Sequence, residues 1–104
     1  MMEPDILDEL WKVIEERAGG SDEQRSYVRS LLFHEKGIDK SLEKVGEEAV
    51  EYILAIKNGD TGRSVSEAAD LIFHLMVSLK AAEIHFDQVK EELEKRRAGM
   101  NLHD

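Results

Sequence analysis

The stretch EEAVEYILAI, Glu47 to Ile56, sets a carboxylate, Glu51, inside a segment that is otherwise apolar or aromatic from Ala49 onward. Two more carboxylates, Glu47 and Glu48, stand directly upstream. Around it, Leu42, Val45, Ala49, Ile53 and Ile56 recur at steps of three and four, which predicts a helix from about Asp39 to Asn58. Past Glu48 this helix is apolar almost all round, a pattern that predicts burial on more than one side. Asn58-Gly59 is a helix stop, and the next helix is expected to start at Ser64 or Ser66.

That next helix, SVSEAADLIFHLMVSLKAAE (Ser64 to Glu83), is again apolar on most sides. Its exceptions are ordered: Glu67, Asp70, His74 and Ser78 follow one another at three- and four-residue steps and form a single polar stripe. A solvated face would carry mixed lysines and glutamates, as FDQVKEELEKRR (Phe86 to Arg97) does with Glu91 and Lys95 at i,i+4. Toward the N-terminus, Ile6, Leu7, Leu10, Trp11, Ile14 and Ala18 mark an amphipathic helix that Pro4 suits at its start and Gly19-Gly20 ends. Ser21-Asp22 is a candidate cap for a following turn. Ser26 to Gly37 reads as a short helix with Tyr27, Leu31 and Phe33 on its apolar side and Gly37 as terminator. The tail from Ala98 to Asp104 is expected to fray. The fold class is therefore all-α: four to five helices in an antiparallel bundle, one domain over residues 1–104.

The bulk properties exclude several functions. With a formal net charge of −9, the chain lacks the basic face that nucleic acid or an anionic membrane needs. It has no cysteine, so neither disulfides nor thiolate metal sites are available. No apolar run reaches the length of a membrane span, and the acidic N-terminus has no signal-peptide core, which makes a cytoplasmic location the expectation.

Glu48 and Glu51 share one helix face, and Glu67 and Asp70 share another; the short loop between the helices makes them antiparallel neighbours. Two E-x-x-[ED] pairs then converge across one groove. Four carboxylates brought together repel one another unless a hard cation stands among them, and oxygen-only ligands select Mg²⁺, with Mn²⁺ or Ca²⁺ as alternatives. Spaced glutamates alone carry little weight, because solvated helix faces are full of them. The apolar surroundings of Glu51 and Asp70 separate these from that background. A lone histidine on an apolar helix is more often a core residue than a ligand. His74, one turn past Asp70, is a candidate either to orient a carboxylate or to contact nucleotide. Trp11, Phe33 and Phe73 read as core or dimer packing rather than base-stacking platforms. Lys36, Lys40, Lys44, Lys57 and Arg63 flank the acidic helix mostly as surface charges. Lys44 and Lys57 are the candidates to meet phosphates, and Lys44 is favoured, since it lies about 40° around the helix from Glu48.

The segment SYVRSLLFHEKGIDKSLEKVGEEAVEYILAIKNGD (Ser26 to Asp60), followed by SEAADLIFHLMVSLKA (Ser66 to Ala81), resembles phosphoribosyl-ATP pyrophosphatases, the second enzymes of histidine biosynthesis. E-E-x-x-E alone is shared by all MazG-type nucleotide pyrophosphohydrolases; KVGEEAVE with EAADLIFHL is more specific. The resemblance covers about Ser26 to Arg97 and implies Mg²⁺-assisted hydrolysis of phosphoribosyl-ATP to phosphoribosyl-AMP and pyrophosphate. By position it implies Glu48, Glu51, Glu67 and Asp70 as metal ligands, and Glu47, Glu48 and Glu51 as the catalytic carboxylates, Glu47 to orient or deprotonate the attacking water. It further implies a homodimer, and a stand-alone form without the cyclohydrolase domain to which many bacterial relatives are fused. Two other readings stay open: a house-cleaning NTP or dNTP pyrophosphohydrolase, and a non-enzymatic acidic helical module that dimerises or binds metal.

Overall fold

The computed structural model describes residues 5–20 and 26–99, and the helical architecture expected from the sequence is present. Among these residues there are five helices and no strand: α1 (Ile6–Ala18), α2 (Tyr27–Leu32), α3 (Ile38–Lys57), α4 (Thr61–Ala81) and α5 (Phe86–Ala98). Pro4, Ser21-Asp22 and residues 100–104 of the tail lie outside the described residues. No described helix is long and apolar enough to cross a membrane.

Local chemistry explains most boundaries. Asp5 caps α1 by accepting from the Asp8 amide at 2.9 Å, and Gly19 closes it. Ser26 caps α2 by accepting from the Arg29 amide. Two expectations are corrected. Gly37 does not end α2, which stops at Leu32; it opens α3, at φ 63°, a left-handed conformation that favours glycine. The fourth helix begins at Thr61 rather than Ser64, because the Asp60 carboxylate accepts from the Arg63 amide at 3.0 Å and so caps a full turn earlier. Gly59, at φ 69°, supplies the reversal between α3 and α4.

α3 and α4 form a long helical hairpin and make the most extensive packing in the chain. The fully buried apolar core lies elsewhere, where α1 and α2 sit on α4: Trp11, Ile14, Val28, Leu31, Met76 and Val77, with Leu7, Leu10, Leu32, Phe73, Leu79 and Phe86 against them. Trp11 thus belongs to the core, as expected, and Phe73 packs on it, whereas Phe33 is 65% exposed beneath the Arg29 guanidinium. Arg29 Nη1 also donates to the carbonyls of Arg17, Ala18 and Gly20, tying α2 to the C-terminal end of α1.

The α3 face expected to be buried is open in the single chain. Leu42, Ile53 and Ile56 are half exposed, and Val50 and Leu54 beside them are no better covered. On α4, Val65, Ile72 and Leu75 are exposed as well. The apolar residues are where the periodicity puts them; the described residues lay nothing over them.

α5 is held to the rest of the chain by few contacts, chiefly Phe86 stacked on Trp11 and the Lys90–Asp8 ion pair. Lys90 holds the Asp8 carboxyl below its ordinary value of 3.8. A depressed carboxyl stabilises the fold above its unfolded pKa, and that contribution is lost as pH falls through the folded value. Acidification below about pH 4 is therefore expected to loosen α5 before the α3–α4 hairpin. Hydrogen exchange across a pH series checks this, and α5 amides protected equally at pH 3 and pH 6 would contradict it.

Candidate metal centre and nucleotide site

The hairpin brings three of the expected carboxylates to one point. Glu48 of α3 and Glu67 and Asp70 of α4 each offer an oxygen, and these oxygens lie within 4.8 Å of one another. Helix geometry does this work: Glu67 and Asp70 are one turn apart on α4, and Glu48 faces them across the antiparallel contact. Glu51, one turn further along α3, stands outside that triad but close to it. The Glu67 carboxylate beside it raises its pKa above the usual 4.5. Glu47 points to the exposed side and pairs with Lys44 at 3.4 Å.

Whether the group suits a cation is decided by what its oxygens lack. Glu67 is 8% exposed, and its Oε2 has no hydrogen-bond partner among the described residues. Its other oxygen lies 3.8 Å from Arg63 Nη2. A buried carboxylate oxygen left unsatisfied costs several kcal/mol of lost solvation, roughly 1–3 even for a neutral group. With two more carboxylates converging on it, the local charge is strongly negative. A hard divalent cation removes both penalties at once, and an all-oxygen donor set is the kind Mg²⁺ or Mn²⁺ accepts.

His74 occupies the wall behind the cluster. It is 5% exposed, with Nδ1 2.9 Å from the Asp70 main-chain oxygen and Nε2 2.9 Å from Tyr27 Oη. Burial lowers its pKa below the usual 6.5. Both ring nitrogens are therefore engaged within the protein. Ser78, the last member of the polar stripe, donates to the Leu75 carbonyl.

Of the expected phosphate-binding cations, Lys44 lies beside the cluster, one turn before Glu48 and paired with Glu47. Lys57 does not join it: it ends α3, nine residues past Glu48, or ~13 Å along the helix axis. Arg63 is closer, through its contact with Glu67. The i,i+4 spacing of Arg63 and Glu67 was the signal for it. Tyr27 is the residue sequence reasoning missed, read as packing on a short helix; nothing local marks a tyrosine whose hydroxyl meets a histidine 47 positions away.

Comparison with known proteins gives the family of the chain. A family profile described as phosphoribosyl-ATP pyrophosphohydrolase matches residues 7–97. A protein of Methanocorpusculum labreanum named phosphoribosyl-ATP pyrophosphatase is 67% identical over 104 residues, the full length of both chains. Proteins of the same name from Methanoculleus marisnigri and Methanosphaerula palustris are 58% and 54% identical, each over 93% of this chain and 99% and 97% of their own. The acidic hairpin, the extent of the profile match and these identities agree, and the chain belongs to the phosphoribosyl-ATP pyrophosphohydrolase family.

Proposed function

We propose that this chain, acting as a single domain over residues 1–104, hydrolyses phosphoribosyl-ATP to phosphoribosyl-AMP and pyrophosphate, the second step of histidine biosynthesis. The observation that carries the reading is the convergence of Glu48, Glu67 and Asp70 around an unsatisfied Glu67 oxygen, in a chain 67% identical to a phosphoribosyl-ATP pyrophosphatase.

Glu48, Glu51, Glu67 and Asp70 would hold Mg²⁺, or Mn²⁺ in its place. The cation, when bound, neutralises charge on the phosphate oxygens and on the departing pyrophosphate. The residues of the chain do the rest. Lys44 offers an ammonium at the mouth of the cluster for the outer phosphates, and Arg63 stands on its α4 side. Lys57 can meet only a part of the substrate that extends toward the end of α3. Glu47, exposed beside Glu48, is the carboxylate free to take a proton from water once Lys44 turns to phosphate. The long hairpin fixes both rows of ligands on rigid elements, so the site exists before substrate arrives.

A second copy of the chain completes the molecule. Val50, Ile53 and Leu54 on α3 and Val65, Ile72 and Leu75 on α4 are each 41–66% exposed, and a second copy would cover them. The radius of gyration, 15.4 Å, also exceeds the about 13 Å of a compact chain of this length.

Pyrophosphate release from phosphoribosyl-ATP, compared with a panel of NTPs and dNTPs and run with and without Mg²⁺, tests the assignment. Rapid release from phosphoribosyl-ATP that stops on chelation is expected. Strong dNTP turnover with phosphoribosyl-ATP untouched would replace this reading with a house-cleaning pyrophosphohydrolase.

A further inference from the structure

We infer that Tyr27 and His74 are positioning residues for the acidic cluster: a relay from α2 through α4 that sets where the Glu48 carboxylate of α3 stands for the cation. The inference rests on Glu48 being a cation ligand, and it goes beyond that reading by assigning what holds Glu48 in place.

The hydrogen-bond roles follow from the partners. His74 Nδ1 faces the Asp70 main-chain oxygen at 2.9 Å, and a carbonyl only accepts, so Nδ1 carries the proton. In the neutral ring Nε2 then holds a lone pair, and Tyr27 Oη, 2.9 Å away, donates to it. That second bond locks the ring. Turning the imidazole over would exchange Nδ1 for a carbon and move Nε2 away from the phenol. With the ring locked, its Nδ1–H edge is held toward α3, where Glu48 Oε1 lies 3.7 Å away.

Glu48 needs such a support. Its side chain is 12% exposed, and it faces Glu67 and Asp70, two carboxylates that repel it. At 3.7 Å the Nδ1–H is too far for a hydrogen bond. That proton lies along its bond to the Asp70 carbonyl, so the locked ring meets Glu48 as a fixed polar edge that bounds where the carboxylate can stand. Tyr27 is placed to do this from outside the hairpin. Its ring stacks on Phe73 at 6.0 Å between centroids, and Ser26 caps the helix that carries it. A six-residue helix whose buried residues are Val28 and Leu31 thereby reaches the cluster.

Mn²⁺ binding to the full chain without nucleotide, followed by the electron paramagnetic resonance of free Mn²⁺, tests the relay. Tyr27→Phe is expected to raise the Mn²⁺ Kd about 10-fold, and His74→Phe between about 10- and 100-fold, the usual cost of losing a group that orients a ligand. His74→Asn puts an amide N–H near the Nδ1 position and should recover part of the loss. The double variant should bind no more weakly than His74→Phe alone, since both act along one path. Thermal unfolding in EDTA separates support of the cluster from support of the fold. Lower melting temperatures with Mn²⁺ affinity unchanged would make the pair mere packing and overturn the inference. Tyr27→Phe carries the test if His74→Phe does not fold. Glu48→Gln separates the two failures. If it loses Mn²⁺ while both relay variants keep it, the relay is wrong and the site stands; if it too binds normally, the site reading falls with the relay.

Discussion

Asp70→Asn is expected to lower pyrophosphate release by about 10³-fold, while the helical fold and the melting temperature are kept or improve. The direction on activity comes from the cluster. Asp70 is one of three carboxylates whose oxygens converge within 4.8 Å, and an amide in its place removes both a ligand and a unit of negative charge. Losing about 4 kcal/mol of charge stabilisation in the transition state corresponds to about three decades in rate. The direction on stability comes from repulsion. Without a cation the three carboxylates oppose one another, and Asp70 is exposed, so the asparagine leaves no buried amide unsatisfied. Glu51→Gln should cripple activity likewise, because Glu51 lies one turn past Glu48 and is proposed with it as a ligand of the cation. Circular dichroism with the pyrophosphate assay checks both. Full activity in both variants would remove the metal assignment and, with it, the proposed role of the hairpin.

Leu54→Glu is expected to convert the proposed dimer to a monomer of 11.9 kDa at micromolar concentration. Leu54 is 55% exposed in the single chain, flanked by Val50 and Ile53 at 57% and 56%, on the helix that also carries Glu48 and Glu51. Placing an unpaired carboxylate within an apolar interface costs about 3 kcal/mol or more, which weakens association at least a hundredfold. Because Leu54 lies one turn past Glu51 on the same helix, activity should fall with the dimer. Adding protein should restore both together. Sedimentation equilibrium against concentration is the measurement. A wild-type chain that sediments as a monomer at these concentrations would show that the exposed stripes serve something other than a second copy.

Much of this molecule was legible from residue spacing, and the exceptions have identifiable causes. Residue periodicity located the five helices of the described residues, and the stripe of Glu67, Asp70, His74 and Ser78 picked out the face of α4 that carries two of the three converging carboxylates. Boundaries failed where a single side chain or backbone angle decided them. Asp60 captured the Arg63 amide and started α4 early, and Gly37 used its left-handed freedom to open a helix instead of closing one. Apolar patterning could not say which apolar face a single chain covers. Trp11, Ile14, Met76 and Val77 are buried within it, while Ile53 and Leu54, equally apolar, are not.

What the sequence by itself determined is the pairing of two acidic rows on two neighbouring helices, because helical periodicity and a short loop leave those residues nowhere else to go. Tertiary structure alone decided which members meet. It put Glu48, Glu67 and Asp70 together, kept Glu51 one turn aside, left Lys57 at the far end of α3, and closed His74 between Tyr27 and the Asp70 carbonyl. The physical reason is that face and spacing are local properties of a helix. Depth, contact and the partner of a buried nitrogen depend on how helices distant in sequence are set against one another.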